Sequence, residues 1–244
     1  MLSFIVPAHN EEAWLARCLA AIRESVATID EKHEIIVVDD ASTDRSGAIA
    51  REHGVRVISV AHRQISASRN SGAREAQGDV LIFVDADTLV NEGIVRSLLR
   101  AVQEGAVGGG CVPRFDGAIP LWARLVYPFL VLGARLRRET GGACLFCTRE
   151  VFAAVGGFSE KHFAAEEVVW INALKRHGHF VVVPGRVLTS GRNLRAHSFG
   201  AIAPILVRLA LHGPDGFRDR RGLDLWYQPS REKPNPVDLD AGKS

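Results

Sequence analysis

Cysteine is sparse and scattered in this 244-residue sequence: Cys18, Cys111, Cys144 and Cys147. Four residues at these spacings build no disulfide framework, and Cys144-x-x-Cys147 lacks the second pair that a zinc site would need. The intervening Leu145-Phe146 makes this segment read as a core strand instead. Long hydrophobic runs are missing too, since no window reaches the roughly 20 apolar residues of a membrane-spanning helix. The short run Leu2 to Val6 meets Pro7 and then Glu11-Glu12, without the basic start and longer apolar stretch of a secretory leader. A reducing, cytosolic setting is therefore expected. Neither sign of charge dominates: 30 Lys and Arg stand against 28 Asp and Glu, a net charge of +2. That balance argues against a general nucleic-acid binder. Two phosphate-binding glycine motifs are absent. The first strand is followed by Pro-Ala-His-Asn-Glu rather than Gly-x-Gly-x-x-Gly, and no Gly-x-x-x-x-Gly-Lys-Ser/Thr occurs. Dinucleotide-binding folds and phosphate-loop NTPases are thereby excluded. The glycines between Gly105 and Gly110 have the wrong place and spacing, and suit a turn and a tight strand.

What is present is an alternation of buried strands and amphipathic helices. Hydrophobic content is 47% and charged content 24%, ordinary for a globular chain with a substantial core. Leu2 to Val6 reads as a first strand. Asn10 is then expected to cap a helix with Glu11 and Glu12 in its first turn and Trp14, Leu15, Cys18, Leu19 and Ile22 at helical spacing. Glu34 to Asp39 is a second buried strand ending in Asp39-Asp40. Ser42-Thr43-Asp44 opens a helix that Gly54 ends, and Val55 to Val60 is a third strand. A helix over Ile65 to Gln77, stopped by Gly78, leads into Val80-Leu81-Ile82-Phe83-Val84. This pattern predicts an α/β fold with a mostly parallel sheet and crossover helices. Ligands of such sheets bind beyond the carboxyl ends of the strands. Pro7 to Asn10, Asp39-Asp40 and Asp85-Ala86-Asp87 are thus expected on one edge. Two carboxylates at the mouth of a buried strand suit a hard cation, Mg²⁺ or Mn²⁺, that also binds substrate phosphate. The plainer reading of Asp85-x-Asp87 is an acidic turn with Asp87 capping the following helix.

Several segments together carry a resemblance. Ser3-Phe4-Ile5-Val6-Pro7-Ala8-His9-Asn10-Glu11, Ile36-Val37-Val38-Asp39-Asp40-Ala41-Ser42-Thr43-Asp44 and Arg69-Asn70-x-Gly72 are similar to family 2 glycosyltransferases. So are Phe83 to Asp87, Gly156-Gly157-Phe158-Ser159-Glu160 and Glu166-Glu167, in order over about residues 1–195. The resemblance implies a GT-A fold and sugar transfer from a UDP- or GDP-linked donor to an acceptor hydroxyl. It places Pro7, Ala8, His9, Asn10 and Glu11 in the nucleoside pocket and Asp40, with Asp39 beside it, at the base. Arg69 and Asn70 would sit under the nucleotide, Arg69 suiting a phosphate and Asn70 a hydroxyl. Asp87 would be the chief metal ligand, with Asp85 bridging to ribose or metal and Ala86 between them. Glu167 stands where the family has Asp as general base. The longer side chain makes Glu166 the alternative.

In the second half, Asn91 is expected to cap a helix through about Gln103, followed by a strand from Ala106 to Val112. Gly117 to Arg138 carries Leu121, Trp122, Leu125, Val126, Phe129, Leu130 and Leu132 with Arg124, Arg135, Arg137 and Arg138. It reads either as a core helix with solvated arginines or as a basic amphipathic element on a membrane or lipid-linked acceptor. A strand over Cys144 to Thr148 and a helix from Arg149 come next. The helix beginning at Glu166-Glu167 runs toward Gly178. Arg192 is the preferred diphosphate contact, over His197. Ile202 to Leu211 is an apolar helix. The expected organisation is one GT-A domain over residues 1–229, with a donor half (1–112), an acceptor and base half (113–195) and a C-terminal extension (196–229). Residues 230–244 read as a disordered tail. The expected activity is metal-dependent inverting transfer on the cytoplasmic side, with peripheral contact to the inner face of the membrane as the second reading beside the favoured core helix. A retaining transferase on the same fold and a non-catalytic nucleotide-sugar binder are the alternatives.

Overall fold

The computed structural model describes residues 1–223, so the tail expected from residue 230 lies outside the described residues. The first half alternates as expected: β1 (Leu2–Ala8), α1 (Leu15–Val26), β2 (His33–Asp40), α2 (Ser46–Glu52), β3 (Arg56–Val60), α3 (Ile65–Glu75), β4 (Val80–Val84). A short β5 (Thr88–Leu89), α4 (Glu92–Gln103) and the long β6 (Ala106–Phe115) follow. The second half holds α5 (Leu121–Leu136), β7 (Cys144–Thr148), α6 (Arg149–Val155), α7 (Glu166–Lys175), β8 (His179–Thr189), α8 (Arg192–Ala196), α9 (Phe199–His212) and a 3₁₀ turn at Gly213–Phe217.

The eight strands form one sheet in the order β3-β2-β1-β4-β7-β6-β8-β5. Strands β3, β2, β1 and β4 run parallel, each linked by a helix that covers a face. β7 is antiparallel to both β4 and β6, while β6 and β8 pair parallel. Because side chains alternate across a strand, each buried strand feeds two core layers. Phe4, Val6, Val37, Ile82 and Val84 pack under α1 and α4 with Leu15, Leu19, Ile22, Ile94 and Leu98. Ile5, Ile36, Val38, Leu81 and Phe83 face the other way, toward Ala73 of α3 and Trp170, Ile171 and Leu174 of α7. There the Phe83 ring meets Phe158 edge-on at 4.9 Å and Trp170 at 5.8 Å. Helix α3 lies so close to the sheet that a Cβ on Gly72 would sit 2.5 Å from Ile5 Cγ2 and 2.9 Å from Val38 Cγ2. Only glycine fits that crossing.

Local expectations differ from the structure at two turns and one helix. Asn10 does not cap α1, which starts at Leu15 with neither glutamate in its first turn. Asn10 instead adopts φ +56° and its Oδ1 accepts from the Thr43 backbone N–H at 2.8 Å, tying the β1 and β2 turns together. Asp44 opens α2 from just outside it, accepting from Ser46 N–H at 2.8 Å and Ser46 Oγ at 2.6 Å. Asn91 does cap α4, accepting from Ile94 N–H at 3.0 Å. The core-helix reading of Gly117 to Arg138 does not hold: of the residues in α5 only Ala123 is buried. Tyr127 reaches the end of β6, where its hydroxyl donates to Pro113 O and its ring meets Phe115 at 5.1 Å, while Leu121, Leu125, Phe129, Leu132 and Leu136 stand exposed. Among the described residues no helix is long and apolar enough to cross a membrane.

Candidate functional site

The parallel strands β1, β2 and β4 end on one edge of the sheet, and their last residues enclose a cavity of about 190 Å³. β1 supplies Pro7 and Ala8 to its wall, the turn after it His9 and Glu11, β2 supplies Asp40, and the segment after β4 supplies Asp85, Ala86 and Asp87. Arg192 and Asn193, at the start of α8, close it from a part of the chain more than a hundred residues away. These groups are the ones that the motif reading singled out, apart from Asn193 and the stretch Arg63-Gln64-Ile65 with Ser68.

Asp40 is buried and held by three donors: Arg63 N–H at 2.8 Å, Gln64 N–H at 3.1 Å and Ser68 Oγ at 2.7 Å. Sequence reasoning missed the Arg63–Gln64 turn because its contribution is backbone N–H, which every non-proline residue carries. His9 Nδ1 lies 2.7 Å from the Asp40 carbonyl oxygen. A carbonyl can only accept, so Nδ1 bears the hydrogen, and Nε2 is left to accept from Asn10 Nδ2 at 3.2 Å. Asp39, one residue earlier, points to the other face of the sheet. Its Oδ1 accepts from Ser42 N–H at 3.2 Å, and it does not line the cavity. The expectation that Asp39 stands beside the base is corrected by strand alternation.

Asp85 and Asp87 have different neighbours. Asp85 accepts from Arg69 Nη2 at 2.8 Å, and its backbone N–H donates to Ala143 O at 3.1 Å. Asp87 lies 3.2 Å from Arg192 Nη2 and accepts from Thr189 Oγ1 at 3.4 Å. Burial pushes its carboxyl up to about 7, with repulsion from Glu11 and Asp85 adding to the shift and Arg192 opposing it. Glu11 is also raised by burial, although it is paired to Arg192. Glu11 Oε2 and Arg192 Nε are buried without a hydrogen-bond partner among the described residues. Three carboxylates, of Glu11, Asp85 and Asp87, therefore line the cavity with the Arg192 guanidinium, and one carboxylate oxygen is unsatisfied. The carboxylate oxygens of Asp85 and Asp87 suit Mg²⁺ or Mn²⁺, which usually takes one or two carboxylates and completes its shell with water and substrate phosphate. Among the described residues no three His, Cys, Asp or Glu side chains form a complete metal cage.

Arg69 does not reach the cavity. Its guanidinium is 1% exposed and forks between Asp85 and Glu166, the latter through Nη1 to Oε1 at 2.9 Å, with Nη2 also donating to Gly142 O at 3.0 Å. The expected phosphate contact is corrected: the charge is already spent on two carboxylates. Asn70 is likewise displaced from the nucleotide. It donates to Phe158 O and Glu160 Oε1, both at 2.9 Å, and accepts from Phe158 N–H at 2.8 Å, so it pins the loop before α7. Glu166 is buried against Arg69, which leaves Glu167 as the half-buried acid of the α7 first turn. Burial, then repulsion from Glu166, raises the Glu167 carboxyl to about 8. Arg69 thus links the strand-end acids to the helix that carries Glu167. His162 bonds Ser159 at 2.8 Å and Asp215 at 3.2 Å rather than Glu166, and His197 turns to Asn193 O at 2.9 Å.

Strand-end acids on a mostly parallel sheet, continued across the antiparallel strand β7, belong to the GT-A class of transferase fold. A mannosyltransferase from Pyrobaculum calidifontis, solved with GDP-mannose and Mn²⁺, has the same fold: TM-score 0.66 at 20% identity, over 88% of this chain and 71% of that one. The sequence profile described as Glycosyl transferase family 2 matches residues 3–153, and the chain belongs to that family of transferases. Two curated relatives are a glycosyltransferase named GlyA from Streptococcus pneumoniae and an undecaprenyl-phosphate 4-deoxy-4-formamido-L-arabinose transferase from Pseudomonas aeruginosa. GlyA is 35% identical over 42% of this chain and 15% of its own length. The Pseudomonas protein is 33% identical over 59% of this chain and 43% of its own length. The chain therefore spans less than half of either relative.

Proposed function

We propose that the protein is a metal-dependent inverting glycosyltransferase that moves a sugar from a UDP- or GDP-linked donor to an acceptor hydroxyl. The observation that carries this is the convergence of Asp40, Asp85, Asp87, Glu11 and Arg192 around one strand-end cavity, with Arg69 tying Asp85 to Glu166, the neighbour of Glu167 at the start of α7. Asp40 and the His9 turn form the nucleoside end, and Arg192 faces the diphosphate. Asp87 and Asp85 would hold Mg²⁺ or Mn²⁺, which when bound neutralises the diphosphate as it leaves. Glu167 takes the proton from the acceptor hydroxyl as its oxygen bonds the anomeric carbon, and the bond from that carbon to the diphosphate breaks on the opposite side. A base so placed contributes about 10²–10⁴-fold. The Pyrobaculum neighbour, bound to GDP-mannose and Mn²⁺, supports the donor and metal assignments. The relative named as an undecaprenyl-phosphate transferase supports a lipid-linked acceptor.

The test is release of nucleoside diphosphate from UDP- and GDP-sugars with Mn²⁺. Asp87→Asn is expected to abolish metal-dependent release while leaving the circular dichroism spectrum unchanged. Near-normal release by that variant would refute the metal assignment. A retained anomer in the transferred product would refute inversion.

A further inference from the structure

All nine large hydrophobic side chains that stand exposed among the described residues fall on two helices. Leu121, Leu125, Phe129, Leu130, Leu132 and Leu136 belong to α5, and Phe199, Val207 and Leu211 to α9. Phe129 is 74% exposed and Leu136 79%. On α5 five of them recur at i, i+4, i+8, i+11 and i+15, which at 100° per residue gathers them into one narrow stripe along the helix. The two helices are joined where the Trp122 and Phe199 rings meet at 5.8 Å. An apolar surface this concentrated marks a docking face rather than ordinary surface scatter.

What borders it selects the partner. Arg124 and Arg135 lie beside the stripe on the helix wheel, and Arg137 and Arg138 follow directly; all four are exposed. Neither α5 nor α9 contains an acidic residue, and the first acid after α5 is Glu139, which faces Lys175 at 3.8 Å. Acids do stand beyond α9, where Asp215 pairs with Arg218 and Asp219 with Arg208. The charges flanking the α5 stripe are arginines, and such a stripe fits the boundary between acyl chains and anionic headgroups, where long basic side chains reach back to phosphate. Both helices contain a proline and neither spans a bilayer, so this face lies on a membrane rather than in it. It also adjoins the reactive centre. Five residues separate Leu136 from Gly142, whose carbonyl accepts from Arg69, and the next carbonyl, of Ala143, holds the Asp85 N–H.

We infer that α5 and α9 form a seat on anionic phospholipid that presents the Asp85–Glu167 side of the site to a headgroup-borne acceptor hydroxyl. The choice of acceptor rests on the transferase reading above; the seat itself does not. Vesicle flotation of the full chain tests it, with phosphatidylcholine alone and with 30% phosphatidylglycerol added. Binding is expected only to the anionic vesicles and to fall with added salt. The triple change Leu125→Glu, Phe129→Glu and Leu132→Glu is expected to abolish it. Arg135→Ser and Arg138→Ser are each expected to weaken it roughly fivefold. Hydrolysis of the nucleotide sugar in vesicle-free solution is expected to survive all of these changes. No flotation would overturn the seat, whether residues 224–244 or a second copy covers the face. A dimer in sedimentation that the glutamates dissolve would assign the face to self-association. Equal binding to neutral vesicles would overturn the role of the arginines. Flotation without any donor hydrolysis would keep the seat and refute the transferase.

Discussion

Replacing Arg69 by methionine perturbs the fold and the site through one buried group. The guanidinium is 1% exposed and pairs with Glu166, itself 6% exposed at the side chain, and with Asp85 at 28%. Methionine fills most of the volume but leaves the Glu166 carboxylate buried without a cation, and removes the donor to Gly142 O. Breaking a buried pair from one side costs about 3–5 kcal/mol, because the remaining charge stays desolvated. Asp85 adds little to that figure, since water can reach it. In a chain of this size a loss of 1 kcal/mol lowers Tm by about 2–4 °C, so Arg69→Met is expected to lower it by about 6–20 °C. Scanning calorimetry reads this directly. The double variant Arg69→Met, Glu166→Gln removes the stranded charge and is expected to recover a large part of the loss, a coupling that additive effects do not produce. A single variant melting within about 2 °C of the parent would refute the buried-pair argument. So would a double variant less stable than Arg69→Met alone.

Two further outcomes follow from the geometry. Transfer is expected to rise with pH through about 8, because Glu167 must be ionised to accept a proton and its carboxyl sits near that value. The folded state then binds more protons than the unfolded one between the ordinary carboxylate range and about 8, so this group makes stability fall as pH rises across that window. A flat kcat/KM profile from pH 6 to 9, or Glu167→Gln losing less than about tenfold, would remove Glu167 as the base. Gly72→Ala is expected to destabilise by about 1–3 kcal/mol through overpacking against Ile5 and Val38, measured by urea unfolding.

The amino-acid sequence by itself determined the order of strands and helices, because buried strands such as Val80–Val84 are continuous apolar runs and each ends at a polar turn. It also placed the acids of β2 and β4 on one edge, since parallel strands joined by crossover helices must end on the same side. The capping of α4 by Asn91 is equally local: the bond spans three residues. Tertiary structure alone decided which of two adjacent acids enters the cavity. Asp39 and Asp40 are alike in type, and only the packing of α2 on one face and α3 on the other separates their roles. Arg69 and Asn70 read as ligand contacts because their chemistry suits phosphate and hydroxyl. Their partners, Glu166 and Phe158, lie 97 and 88 residues away and claim those groups first. The apolar stripe of α5 was legible as a pattern, but periodicity is the same for a face against a core and a face left bare. Only the arrangement of neighbouring elements shows that nothing described covers it, because burial is a property of the assembled chain rather than of a segment.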